Sequence, residues 1–229
     1  MDPEQFNFSK VAPSQRILQL KLSTGRYDIL TNKWPTFRNH MLLVAKDLVS
    51  QKMNFGHLIA VVELLRACSF SGFFNSWCGG ASVNHFHAQL IDEIPPVALL
   101  PLVPGPYVQG YRSHTPKGYP GKCYVFDARD QLPPVDLAIR VMQARNQPHN
   151  ILFTPARENL SPFIYIFPKP HVTPSRSREL YVSKVGASEV IGSFTTYTKD
   201  AFDSLSPEHA DELVKINTAK LPEALLRRR

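Results

Sequence analysis

The stretch Gly79-Gly80-Ala81-Ser82-Val83-Asn84-His85-Phe86-His87-Ala88-Gln89-Leu90 constrains the fold more than any other part of the chain. As a strand over residues 82–91 it would send successive side chains to opposite faces. His85, His87 and Gln89 then share one face, with Val83 below them. Asn84, Phe86, Ala88 and Leu90 face the other way. The pattern therefore predicts a sheet that is apolar on one side and carries a row of polar groups on the other. The glycine pair just upstream lets backbone N–H groups approach an anion. Together these features point to phosphate chemistry.

A neutral imidazole is a good nucleophile toward phosphorus near neutral pH, its ordinary pKa being about 6.5. One ring nitrogen must keep a free lone pair while an acceptor holds the other as N–H. Gln89 can donate its amide N–H to a phosphate oxygen but is no useful acid. Transfer between phosphorylated acceptors is thus favoured over hydrolysis. Two other readings of His85 and His87 stand beside this one. They form a metal pair, or they are ordinary strand histidines facing solvent. A metal site would need a third ligand, and Asp92 and Glu93 fall past the polar row, so no metal is expected.

The net charge of +7 suits an anionic ligand. The basic residues are scattered, and no aromatic-interleaved basic run or zinc-finger spacing occurs, so nucleic acid is not expected as a partner. Cys68, Cys78 and Cys123 are an odd number without a Cys-x-x-Cys pair. This argues against a disulfide scaffold and a cysteine zinc site, and it suits a reducing compartment. The polar start Met1-Asp2-Pro3-Glu4-Gln5 has no apolar core, and no apolar run is long enough to span a bilayer. The expectation is a cytoplasmic protein away from membranes.

Twenty prolines against 11 glycines imply many fixed turns and few very long helices. Arg16–Leu22 alternates as a half-buried strand, Tyr27–Leu30 is a second, and His40–Ala45 is an apolar central one. His57–Phe70 has helical spacing through Leu58, Val61, Val62, Leu65 and Cys68. Gly72–Ser76 is a short strand. Pro95–Pro120 reads as a loop and as the boundary between lobes. Lys122–Ala128, Asn150–Thr154, Phe163–Phe167 and Glu189–Tyr197 read as strands. Pro134–Gln147 reads as a helix, and Ser206-Pro207 opens a last one running to Ala219. Both halves show strands around one helix, which suggests structural duplication. Two domains are expected, a catalytic lobe over 1–110 and a second lobe without the motif over 111–229.

The run from Phe74 to Gln89 resembles the active-site segment of the histidine-triad superfamily, in the branch whose motif is His-x-His-x-Gln. That branch contains hexose-phosphate uridylyltransferases, diadenosine tetraphosphate phosphorylases and GDP-hexose phosphorylases. The segments Phe6-Asn7-Phe8-Ser9-Lys10-Val11, Ala81-Ser82-Val83-Asn84-His85 and Ala187-Ser188-Glu189-Val190-Ile191-Gly192 are most similar to the last group, which acts on GDP-L-galactose or GDP-D-glucose. Asn32-Lys33 and His40–Lys46 look closer to the diadenosine phosphorylases.

The resemblance implies an α+β fold, a histidine-triad-like antiparallel sheet with helices packed on one face, in two related lobes. It also implies a GDP-hexose phosphorylase, converting GDP-hexose and phosphate to GDP and hexose 1-phosphate through a covalent nucleotidyl-histidine. His87 would be the nucleophile, the His85 carbonyl would hold its ring, and Gln89 would bind phosphoryl oxygens. Asn75 and Ser82 match positions that contact the nucleotide phosphate, and Gly80 belongs to the same turn. Lys46 and Lys169 are candidate anion contacts by charge and strand-end position. The expected partners are a nucleotide sugar and inorganic phosphate or a sugar phosphate. No cofactor is expected, and a homodimer is compatible with this reading. The alternatives are a dinucleoside polyphosphate phosphorylase and a nucleotide-binding protein without turnover.

Overall fold

Alternation along short runs decides the architecture. In the protein's structure, a computed structural model, residues 5–155, 162–175, 177 and 185–226 are described. In chain order the elements are β1 (Arg16–Leu22), β2 (Gly25–Thr31), β3 (Met41–Ala45), α1 (Phe55–Arg66), β4 (Ser71–Asn75) and β5 (His87–Ile91). Then come β6 (Leu102–Val108), β7 (Tyr111–Pro116), β8 (Tyr124–Asp127), α2 (Leu132–Ala144), β9 (His149–Phe153) and β10 (Phe163–Pro168). Farther along the described chain lie α3 (Ala187–Val190), α4 (Lys199–Ser204), α5 (Pro207–Ile216) and α6 (Glu223–Leu226).

The strands form one antiparallel sheet in the order β1-β2-β3-β5-β4-β9-β10-β8-β7-β6. Read inward from either edge, the two halves have the same order: first, second, third, fifth and fourth strand of each half. α1 and α2 also hold matching places, each between the third and fourth strands of its half. The fold is α+β, as expected.

Period-2 burial gives the sheet two different faces. Leu43, Ala45, Phe74, Ala88, Leu90, Ile151, Ile164 and Ile166 point to one side, where Leu58, Val61 and Leu65 of α1 and Val135, Ile139 and Met142 of α2 cover them. Asn54 begins α1, its side-chain oxygen accepting the His57 N–H at 2.8 Å. On the opposite face Leu30, Leu42 and Val44 lie under Phe8 and Val11. Farther along that face, Phe73, Ile91, Leu152, Tyr165 and Phe167 pack with Val190, Ile191 and Leu213. The two long helices thus share one side, joined there by Leu221 and Leu225, while the segment around Phe8 and Val11 and the helices α3 and α5 cover the other.

Two expected features are corrected. The proline-rich stretch 95–120 is not a loop: it contains the β6–β7 hairpin. β6 is an edge strand, and an edge tolerates Pro104 and Pro106 because it needs no N–H for an outer partner. The expected strand Glu189–Tyr197 is instead the helical turn α3, after which Gly192 turns the chain at φ +97°. The Glu189 carboxylate accepts the Gly186 N–H at 2.6 Å, which caps a helix rather than extending a strand.

The two halves meet where β4 pairs with β9, Asn75 lying opposite Asn150. Past the end of β4, Ser76 donates its N–H to the His149 carbonyl at 3.0 Å and accepts the His149 N–H on its hydroxyl at 2.9 Å. The Asn150 amide donates to the Gly79 carbonyl at 2.9 Å. The backbone at Gly79 lies so close to β9 that a Cβ would fall 2.5 Å from the His149 carbonyl oxygen. Gly79→Ala is therefore expected to lower the unfolding free energy by about 1–3 kcal/mol. Urea denaturation checks this, and an unchanged midpoint would overturn it.

Candidate active site

His87 opens β5 and is 5% exposed. Its Nδ1–H donates to the carbonyl of His85 at 2.8 Å, leaving Nε2 with a free lone pair. Its backbone is fixed by one side chain. The Gln51 amide accepts the His87 N–H at 2.8 Å and donates to the His87 and Asn75 carbonyls at 3.0 and 2.9 Å. Gln51 thereby joins the neighbouring ends of β5 and β4. Burial pushes His87 down to about 4, outweighing the His85 carbonyl, which favours the charged ring. At neutral pH the ring is uncharged and held in one tautomer.

The strand expected over 82–91 begins only at His87. The residues before it spend their polar groups on the segment after β3. Phe86 donates its N–H to the Val49 carbonyl, and the Asn84 side chain accepts the Gln51 N–H at 3.0 Å. His85 is consequently not one of a row of pocket-facing groups. Its Nδ1 accepts the Phe8 N–H at 3.2 Å, so Nε2 carries the proton and donates to the Ala45 and Asp47 carbonyls. Burial lowers its pKa, against the pull of those two carbonyls. The His85 ring thus ties the segment around Phe8 to the end of β3. The Phe8 ring lies 5.0 Å from that of His87.

A cavity of about 320 Å³ opens beside His87 and Gln89. Phe6, Phe8 and Trp34 give it aromatic walls, Lys10 and Lys33 contribute cationic side chains, and Ser82 lines it too. Trp34 is 76% exposed at the rim, with the Lys33 ammonium 5.4 Å above its ring. The arrangement suits a ligand with a flat apolar part and an anionic part. Among the described residues, no group of three or more His, Cys, Asp or Glu comes together to hold a metal ion.

The remaining candidates are placed differently. Asn75 is buried at the end of β4, and its side-chain oxygen accepts the Asn150 amide at 2.7 Å and the Ala187 N–H at 2.9 Å. Gly80 adopts φ +123° in the turn beside it, a conformation that favours glycine. Neither residue lines the cavity. Lys46 is exposed at the end of β3 and also lies outside the lining. Lys169 is buried, donates to the Val185 carbonyl, and is pushed down to about 8 by burial, with Glu189 opposing.

The sequence assigned no site role to Gln51, His40 or Asn32. The last two reach the side-chain oxygen of Gln89, His40 through Nε2 and Asn32 through Nδ2 at 3.3 Å. Gln51 sits in an irregular segment without periodicity, so its sequence carried no sign of its role. His40 is two residues from Leu42 along the same face and Leu42 pairs with Gln89, a register that local pattern does not disclose.

Residues 7–104 match the family described as Ap4A phosphorylase N-terminal domain. Among curated proteins, GDP-D-glucose phosphorylase 1 of Bos taurus is 37% identical over 99 residues, covering 38% of this chain and 26% of that protein. GDP-D-glucose phosphorylase 1 of Macaca fascicularis is 32% identical over 146 residues, covering 56% of this chain and 37% of that protein. The chain thus spans well under half the length of these relatives. Among solved structures, yeast Ap4A phosphorylase Apa2 in complex with Ap4A is similar, with a TM-score of 0.63 and 16% identity over 84% of this chain and 73% of that one. The resemblance to the GDP-hexose phosphorylases is borne out in sequence, residues 7–104 match the Ap4A phosphorylase N-terminal domain, and the fold is similar to that of the yeast enzyme.

Proposed function

We propose that this protein is a nucleotidyltransferase of the GDP-hexose phosphorylase type. The observation that carries the reading is the His87 ring, neutral, with Nδ1–H on the His85 carbonyl and Nε2 unengaged beside Gln89 in an aromatic and cationic cavity. The named relatives supply the substrate class. His87 Nε2 attacks the α-phosphorus of GDP-hexose. An N–P bond forms, the bridging P–O bond breaks, and hexose 1-phosphate leaves. Phosphate then attacks the guanylyl-histidine, the N–P bond breaks, and GDP is released. As the first bond forms, the ring becomes cationic and its Nδ1–H bond to the His85 carbonyl strengthens. Gln89 donates to the phosphoryl oxygens and Ser82 lies at the same wall.

Asn75 and Gly80 belong to this site through the turn that borders it, and Lys46 reaches the bound anion from outside the lining residues. The matching strand orders support two related lobes, the first of them catalytic. β10 holds β5's place in the second half, and it begins on Phe163 where β5 begins on His87. The unpaired cysteines support a cytoplasmic location. Among the described residues, no helix is long and apolar enough to cross a membrane. The match of residues 7–104 favours a second substrate reading, phosphorolysis of a dinucleoside polyphosphate by the same steps.

Incubation with radiolabelled GDP-glucose and phosphate is expected to give GDP and glucose 1-phosphate, with a labelled adduct mapping to His87. Diadenosine tetraphosphate in the same assay separates the two substrate readings. His87→Ala is expected to abolish the adduct, and full activity in that variant would sink the mechanism. Gln89→Ala is expected to slow adduct formation by about 10²–10³-fold, as loss of one such donor does elsewhere. The active ring is the unprotonated one, so adduct formation is lost as pH falls through the pKa of His87. A single-turnover profile should place that acid limb near 4 rather than near the ordinary histidine value.

A further inference from the structure

We infer that His40 is a positioning residue that holds the Gln89 side-chain amide with its NH2 end toward the cavity. This rests on the reading of Gln89 as a donor to phosphoryl oxygens. His40 lies immediately before β3, 7% exposed and behind Gln89, and it does not line the cavity itself. Its ring is edge-on to Phe37, with centroids 5.4 Å apart, and tilted against Phe73. The packing allows it little rotation.

The tautomer follows from the hydrogen bonds. The Thr36 N–H donates to Nδ1 at 3.2 Å, so Nδ1 is an acceptor and the neutral ring carries its proton on Nε2. Burial favours that neutral ring. Nε2–H then donates to the side-chain oxygen of Gln89. Asn32 is oriented in the same way. Its side-chain oxygen accepts the Trp34 N–H at 2.9 Å, which turns its NH2 toward Gln89 at 3.3 Å. His40 Nε2 and Asn32 Nδ2 lie 3.1 Å apart because both aim at that one oxygen.

A glutamine amide has two ends of nearly the same size, so packing alone does not choose between its orientations. Turned one way, Gln89 offers two N–H donors to a phosphoryl group. Turned the other way, it sets a carbonyl oxygen against anionic oxygens. Two donors on its own oxygen remove the second orientation before any ligand arrives. His40 therefore contributes preorganisation and no proton, since an amide between ring and substrate passes none.

His40→Phe keeps a ring of similar shape and removes the donor, and His40→Gln restores a donor on a flexible arm. In single-turnover assays with GDP-glucose, His40→Phe is expected to slow adduct formation about 10–100-fold while nucleotide Kd changes less than about 3-fold. His40→Gln is expected to recover part of that loss. In a Gln89→Ala background, His40→Phe is expected to have no further effect, because the group it positions is gone. Wild-type rates in His40→Phe, or the same fold-loss with and without Gln89, would overturn the inference.

A failure of the enzymatic reading is recognised separately, as absence of adduct in the wild-type protein. Orientation is then read by NMR on 15N-labelled protein. The His40 ring should show protonated Nε2 and unprotonated Nδ1, and His40→Phe should shift the Gln89 NH2 pair. The opposite tautomer, or unmoved Gln89 signals, would overturn the inference whatever the activity.

Discussion

The β4–β9 pairing is the contact on which the rest of the molecule depends. It turns two five-stranded units into one continuous sheet and brings Asn75 opposite Asn150 at the centre. The turn after β4 is then held against β9 by Ser76, Gly79 and the Asn150 amide. From that turn the chain crosses back to enter β5 at His87. Gln51 completes the arrangement by fastening the β5 entry to the β4 exit. Position in the site is thus inherited from the sheet and passed through backbone hydrogen bonds.

The two faces of the sheet divide the labour. One is closed by α1 and α2 over a continuous apolar layer. The other is covered in pieces by short segments, and one gap between them is the cavity at His87. The same burial that deprives the His87 ring of water keeps it neutral, so packing and protonation state have a common cause.

Much of this was legible in the chain. Alternation in Arg16–Leu22 and His40–Ala45, and helical spacing through Leu58, Val61, Val62 and Leu65, follow from local periodicity, and the elements appeared where those patterns lie. The misreadings share a cause: local pattern cannot see what lies alongside. Pro104 and Pro106 look like breakers until β6 proves to be an edge. Residues 82–86 alternate like a strand, yet their backbone partners belong to the segment after β3. The His87–Gln89 part of the site was legible because its chemistry is written in adjacent residues. Gln51, Asn32 and His40 were not, since each acquires a role only through a residue dozens of positions away.

The repeated strand order carries one more consequence. A strand order repeated in both halves gives two equivalent strand entries, and they differ. At the entry to β5 stands a titratable ring, and at the entry to β10 stands Phe163. In the second half α3 and α5 pack on the face opposite α1 and α2, and Ala187, the first residue of α3, donates its N–H to Asn75 of the first half. The molecule is thus regular in its strand order, while its two halves differ in what stands at the strand entry.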